Sequence, residues 1–483
     1  MHWAVVLHLL GVLLIIFSHT QLPPIAVSLL ASDGNVWPFL QSYVLTLLVG
    51  LLLWSLTRKD TRELRHREGF WIVVLFWVVL AVFGAFPLVL GASPSLSFTD
   101  AFFESMSGLT TTGATVLSGI DDLPLSVRYY RQQLQWFGGM GIVVLAVAVM
   151  PMLGIGGMQL YKAETPGPMK DSKLTPRIAE TAKALWMAYL GLTVACAVSY
   201  RLAGMRWFDA ITHSFSTVAT GGSSTHDASL GYFQSPAVEW VAIVFMLLAG
   251  INFALHFSAL SRGRLYLYLR DPEATTYFTI VALVSLVVWV ALSRAHINTS
   301  PWDELRHAVF QVVSMMTTTG LTTEDFSLWP TFVPVLLVMM SAVGGSAGST
   351  AGGIKVVRVL LLYKQGKREI AKLIHPRAVI PIKLGGRPVS EHVISAIWGF
   401  LALYMLSFLL LALAVTATGV DLVTAFSAVT ASLNNLGPGL GQVISNYAVL
   451  NTTAKWLLIF AMLLGRLELF TLLVLFSRSF WRS

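Results

Sequence analysis

A single cysteine, Cys196, stands in 483 residues. It excludes an intrachain disulfide and, inside an apolar segment, reads as a small packing residue. Charge is nearly as scarce. Asp, Glu, Lys and Arg make up 12% of the chain against 55% hydrophobic residues, and the mean hydropathy is +0.72. So little charge cannot cover a soluble surface, whereas runs of about 20 apolar residues span a bilayer. The composition predicts an integral membrane protein. Catalytic patterns are missing as well: no nucleophile stands with a base, no carboxylates pair and no cysteines cluster, so the chain does not read as an enzyme. The apolar run at 3–17 follows no Lys or Arg and meets no small-residue cleavage site, so it is expected to persist as a helix.

The net charge of +8 is placed unevenly. Its basic clusters lie at 58–67, 162–177, 262–270 and 355–387, in alternate connections, as cytoplasmic loops require. The opposite connections carry Asp121, Asp122, Asp227, Glu324 and Asp325, and of these Asp121, Asp122, Glu324 and Asp325 can raise cation concentration at a mouth or serve as solvated loop charges. Basic charge here records topology; it does not point to nucleic acid, and contact with membrane lipid is a secondary reading. The pattern predicts an all-α membrane protein with ten spanning helices in five pairs and both termini cytoplasmic. An N-terminal pair (1–68) precedes four units, at 69–158, 178–262, 273–364 and 388–483. The second helices of these units are expected at 134–153, 237–257, 332–362 and 454–476.

Within each unit a short helix is followed by a glycine loop, and the four loops are cognate. They are Thr111-Thr112-Gly113, Thr220-Gly221-Gly222, Thr318-Thr319-Gly320 and Asn435-Leu436-Gly437, with Ala101, Ala210, Ala308 and Ala425 twelve residues before each last glycine. Asp100 and Asp209, and at longer distances Asp303 and Asp421, stand where they can complement a helix N-terminus near water. The negative helix ends then point inward and favour a cation. Irregular backbone is tolerated at membrane depth only against protein or a water-filled path, so four such loops are expected to converge. Glycine allows positive φ, and rings of carbonyls can replace the hydration shell of potassium. One such loop alone would read as a tight helix connection; four at matched positions read as a pore repeated around an axis.

A second glycine cluster, Gly344, Gly345, Gly348, Gly352 and Gly353, interrupts the second helix of the third unit. Each glycine disfavours helix by about 1 kcal/mol against alanine, so the segment is expected to unwind; the alternative is a close helix crossing built on small residues. No Gly-Lys-Ser/Thr follows it, which excludes a nucleotide P-loop. Arg466 lies in an apolar stretch two residues before Glu468, and a charge there faces a cavity or a partner. An ion pair between the two is disfavoured because residues two apart face different ways on a helix. Lys355 reads either as a contact of the loop or as an interfacial lysine. Asn252 reads as a cavity-lining residue or a buried hydrogen bond. His213 and His226 lack a third ligand for a transition-metal site, and His213 is expected to bond near its own short helix.

With these residues the chain resembles the Trk/Ktr/HKT superfamily of potassium transporters over almost its whole length. The resemblance rests on Gly108-Leu-Thr-Thr-Thr-Gly113, His213-Ser-Phe-Ser-Thr-Val-Ala-Thr-Gly-Gly222, Met316-Thr-Thr-Thr-Gly320, Asn434-Asn-Leu-Gly-Pro-Gly439 and Gly344-Gly-Ser-Ala-Gly-Ser-Thr-Ala-Gly-Gly-Ile-Lys355. The extra N-terminal pair is similar to the Trk branch. The resemblance implies one pseudo-fourfold pore, with carbonyls of the four triplets binding potassium and Gly113, Gly222, Gly320 and Gly437 at its narrow part. It implies that 344–353 is an intramembrane gate below them, with Arg466 on the pore side opposing cation entry. It also implies a homodimer in the bacterial cytoplasmic membrane and a cytosolic TrkA-type nucleotide-binding ring. Potassium is then substrate, and this chain holds no cofactor. The fourth loop departs from the pattern, with Asn434, Asn435 and Leu436 where threonines stand in the first and third loops.

Overall fold

A computed structural model describes residues 3–58, 66–148, 178–297 and 300–481. The basic segment at 162–177, most of that at 58–67, and the end of the expected second helix of the first unit lie outside these residues. Long apolar sequences become helices because, in lipid, each backbone N–H must find its carbonyl within the segment. Among the described residues six helices are long and apolar enough to cross a membrane, and two bent pairs raise that number to eight. Outward-facing Leu48, Val287, Met339 and Leu410 are exposed, as a lipid-facing surface should be.

The N-terminal pair, Trp3–Ser18 with Val36–Thr57, crosses closely through glycines. A Cβ on Gly11 would lie 2.7 Å from the Trp54 amide nitrogen, and one on Gly50 would lie 2.9 Å from that of Ile15. The first helices of the four repeats are His66–Leu90, Ile178–Leu202, Pro272–Ala295 and Glu391–Ala417. The short helices are Phe98–Leu109, Trp207–Val218, Pro301–Met316 and Leu422–Asn434. The sequence predicts them at 101–109, 210–218, 308–316 and 425–433; they end there or one residue later, but begin three to seven residues earlier. Two of the starts are capped by polar side chains: Ser97 Oγ accepts from the Asp100 amide and Asp421 from that of Thr424.

The second helices depart from expectation. The helix of repeat 1 is continuous over Leu125–Ala148, but the other three break. Repeat 2 bends by 97° between Pro236–Ala249 and Phe253–Ser261, and repeat 4 by 110° between Thr452–Arg466 and Phe470–Phe476. Repeat 3 is interrupted between Phe332–Val343 and Val356–Ile374. Only the last of these breaks is marked by a glycine cluster. In repeat 4 the turn is at Glu468, whose φ is +50°; there the side chain leaves the apolar helix to pair with Arg358 at 2.9 Å.

Hydrophobic packing follows the order of a closed circle. One buried cluster joins the N-terminal pair with repeats 1 and 4 through residues such as Leu14, Trp77, Phe103 and Leu458. A second joins repeats 2 and 3 through Tyr189, Met246, Tyr277 and Phe310. A third joins repeats 3 and 4 at Val312 and Leu436. The first and last repeats are thus neighbours, which brings the four short helices around one axis.

Candidate functional site

The four glycine loops share one backbone shape. Thr111, Thr220, Thr318 and Asn435 have φ of +52°, +51°, +55° and +55°; the glycines two residues later, Gly113, Gly222, Gly320 and Gly437, have φ of +80°, +76°, +79° and +96°. Left-handed residues alternating with right-handed ones turn successive peptide groups to one side. A β-branched residue rarely takes this conformation, so three threonines held there mark backbone fixed by its surroundings. Asparagine tolerates it more readily, which explains how the fourth loop can drop threonine and keep the shape.

Each glycine lies against the next loop. A Cβ on Gly113 would stand 2.1 Å from the Gly221 carbonyl oxygen, one on Gly222 1.9 Å from that of Thr319, and one on Gly320 2.1 Å from that of Leu436. One on Gly437 would stand 2.7 Å from the Thr112 carbonyl oxygen. The sequence of contacts 1 to 2, 2 to 3, 3 to 4 and 4 to 1 closes a ring too tight for any side chain. Hydroxyl groups brace it, with Thr110 and Thr112 2.8 Å apart and Thr317 and Thr319 2.7 Å apart. In the fourth loop, Asn435 Nδ2 donates to Thr112 Oγ1 and to the Met462 carbonyl, each at 3.0 Å. Its neighbour Asn434 joins Tyr404 and Ser341 at 2.6 and 2.9 Å. Above the ring, a cavity of about 370 Å³ is lined by all four glycines and by Asp227, Glu324 and Asp325.

Beneath the ring lies the glycine-rich segment. The Gly352 amide donates to Thr318 Oγ1 at 2.6 Å, and a Cβ on Gly352 would stand 2.0 Å from the Asn434 carbonyl oxygen. Thr350 Oγ1 donates to the Val218 carbonyl at 3.0 Å. Ser346 N donates to the Gly250 carbonyl and Phe253 N to the Gly348 carbonyl, at 2.8 and 3.1 Å, so the break in repeat 2 cradles the loop. Gly344, with φ of +71°, packs against Gly352, Gly345 against Ala351, and Gly353 against the Ser341 carbonyl. Arg466 is buried and donates to the carbonyls of Thr350 at 3.1 Å and Gly138 at 3.2 Å, with its guanidinium 5.8 Å from the Trp77 ring. Glu468 pairs with Arg358 instead. Lys355 is buried and its Nζ donates to the Ala351 carbonyl, which places it within the loop. Asn252, half-buried, caps the helix after the break, accepting from the Ala254 amide at 2.8 Å.

The sequence is matched over residues 37–483 by the family described as TrkH, cation transport protein. The chain belongs to the TrkH family. It is 54% identical, over the full length of both chains, to the Trk system potassium uptake protein TrkH of Vibrio parahaemolyticus serotype O3:K6. It is 44% identical to the protein TrkG of Escherichia coli K12, over 100% of this chain and 99% of that one. The crystal structure of the potassium transporter TrkH from Vibrio parahaemolyticus superposes with a TM-score of 0.93 at 51% identity, covering all of both chains. The TrkH family is one of multi-pass membrane transport proteins, not of enzymes.

Three polar groups of this TrkH-family chain lie outside the ring and the loop beneath it. Behind the first loop, Glu104 Oε1 lies 2.6 Å from Arg131 Nε, both buried, and Glu104 Oε2 accepts from the Val116 amide at 3.1 Å. Arg131 also donates to the Ser224 carbonyl at 3.3 Å, joining repeats 1 and 2. Glu104 is three residues after Ala101; the same register gives His213, Gln311 and Ala428, a difference among cognates that could have flagged it. His213 Nδ1 donates to the Asp209 carbonyl at 2.9 Å and Nε2 meets Ser224 Oγ at 2.9 Å, as expected of a histidine serving its own surroundings. His226 bonds Asp121 and lies 3.4 Å from Asp209. Burial lowers its pKa, but hydrogen bonds to Asp209 and Asp121 outweigh that and raise it; both carboxyls are held below their ordinary value although burial opposes this. The third group is Glu273, buried at the start of the first helix of repeat 3.

Proposed function

We propose that this chain takes up potassium through a selective, gated pore in the bacterial cytoplasmic membrane, driven by membrane potential. The observation that carries the reading is the closed ring of Gly113, Gly222, Gly320 and Gly437, each against its neighbour's backbone. Thr111, Thr112, Thr220, Gly221, Thr318, Thr319, Asn435 and Leu436 complete the filter, whose carbonyls replace the hydration shell of potassium, the substrate. The acids of the cavity above concentrate cations, and segment 344–353 with Lys355 and Arg466 closes the path below. Each 100 mV of negative interior contributes about 2.3 kcal/mol toward entry of one charge, so accumulation needs no hydrolysis by this chain. The names of the relatives, which are Trk system potassium uptake proteins, support the substrate. The reading includes a homodimer, both termini cytoplasmic, and a cytosolic TrkA-type nucleotide-binding ring as regulator.

Coupling of potassium to protons or sodium is the second reading. It needs a dedicated carboxylate within the membrane, and Glu104 and Glu273 are buried carboxylates that motif reading passes over. Glu104 is neutralised by Arg131, and Glu273 accepts two backbone amides, which favours structural roles for both. Uptake of rubidium-86 into proteoliposomes under imposed voltage, without an ion gradient, separates the two. Voltage-driven uptake that potassium blocks better than sodium, and that Gly113→Ser abolishes, is expected. A requirement for a proton or sodium gradient would put coupled transport first.

A further inference from the structure

The glycine-rich segment leaves helical backbone at Gly344 and regains it at Val356. Its amides therefore lose their partners in a region where an unsatisfied N–H is expensive. Several are met locally: Ile354 N by the Ala342 carbonyl at 2.9 Å and Val356 N by the Gly345 carbonyl at 3.0 Å. Two others, one within the segment and one just after it, are met by a single atom from another element. Glu273 Oε1 accepts from Ala347 N at 2.7 Å and from Val357 N at 3.2 Å. Glu273 is 2% exposed, and its own position is fixed by Asp271, whose Oδ1 caps the helix by accepting from Glu273 N and Ala274 N at 3.1 and 2.8 Å.

We propose that Glu273 is a positioning residue that latches the intramembrane loop in place beneath the ring, its single oxygen Oε1 holding the loop and the start of the helix that follows it at once. Without that acceptor the loop at Ala347 is no longer tied to the helix that follows it through one point. What remains are the bonds of Ile354 to Ala342, Val356 to Gly345, Ser346 to Gly250 and Gly352 to Thr318, none of them to the helix that carries Glu273. The inference rests on the reading of this segment as the gate. Because the ring has its own bracing, loosening the loop should raise conduction and leave selectivity unchanged.

The test is voltage-driven rubidium-86 flux through the full-length protein in liposomes without a cytosolic partner, competed by potassium and by sodium. Glu273→Ala is expected to raise flux about tenfold, the factor that about 1.4 kcal/mol represents, with the preference for potassium over sodium unchanged. Glu273→Gln keeps the Oε1 acceptor and should stay within about twofold of the parent, a rescue that a role of the carboxylate in proton coupling would not allow. If Glu273→Ala does not yield a monodisperse protein, Glu273→Asp, one methylene shorter, carries the same test. Unchanged flux in the Ala variant, equal opening by Gln and Ala, or loss of selectivity overturns the proposal. A variant with residues 346–350 deleted separates the two levels. If it opens the path while Glu273→Ala does not, the latch is wrong and the gate stands. If the deletion also leaves flux unchanged, the gate reading itself fails.

Discussion

The ring and the layer beneath it are built on opposite plans. The ring is made four times from the same parts, a short helix, a left-handed residue and a glycine against the next repeat, and its contacts close on themselves. The layer beneath is made once. It has one interrupted helix in repeat 3, one arginine from repeat 4, one cradle in repeat 2 and one carboxylate at Glu273. Repetition suits a task that needs equal ligands around an ion, whereas a device that opens needs a part able to move relative to the rest. The difference predicts that ring changes alter whether and which ion passes, and that changes below alter how often.

The largest effect is expected at Gly222. Its φ is +76° and a Cβ there would stand 1.9 Å from the Thr319 carbonyl oxygen. Gly222→Ala should reduce rubidium-86 uptake by at least about 100-fold, roughly 2.7 kcal/mol, in line with strain of this kind. Gly437→Ala meets the Thr112 oxygen only at 2.7 Å and should lose about tenfold. Equal losses would show the ring to be uniformly intolerant, and a harmless Gly222→Ala would break the comparison.

Next comes the brace behind the first loop. Glu104→Ala leaves the buried Arg131 without its carboxylate, a change that destabilises by about 3–5 kcal/mol when a buried partner is removed. Thermal unfolding of the detergent-solubilised protein should show it as a large drop in midpoint; a shift near zero would mean that water replaces the carboxylate. Below the ring, Arg466→Ala removes the donor to Thr350 and Gly138. It should raise partner-free flux about tenfold, equivalent to about 1.4 kcal/mol, without altering competition by sodium. Lost selectivity in that variant would erase the division between the two layers.

How much of this could be read from the sequence divides along the same line. The four glycines and the ends of the short helices show through because four cognates can be laid over one another; the left-handed backbone at Thr111, Thr220 and Thr318 does not, since threonine rarely takes it. The loop at 344–353 shows through because glycines cluster where a helix is expected. Breaks at Gly250 and Glu468 do not. One is made by backbone bonds to a loop almost a hundred residues away, and the other by an ion pair with Arg358. The charges Arg466 and Glu468 within an apolar stretch were the available sign of the second break. Glu104 shows only as a difference in register among the cognates, and Glu273 stays hidden because its partners are backbone amides more than seventy residues away, which no motif marks.

The smallest effect is expected in the outer loops. The raised pKa of His226 means that its contribution is fully present below its ordinary value of 6.5 and is lost as pH rises through the folded value. Asp121 and Asp209, with lowered values, contribute above 3.8 and lose that as pH falls through their folded values. The cluster is therefore strongest between 3.8 and 6.5. A small decline in unfolding midpoint from about pH 5.5 to about pH 8.5 is expected, and His226→Asn should flatten it; an equal decline in the variant would assign the effect elsewhere.

The most direct test of the central claim is anomalous X-ray scattering from crystals of the protein grown in rubidium. The account predicts density on the axis enclosed by Gly113, Gly222, Gly320 and Gly437, displaced by excess potassium and retained in excess sodium. Density confined to the acidic cavity above, with none inside the ring, would contradict it.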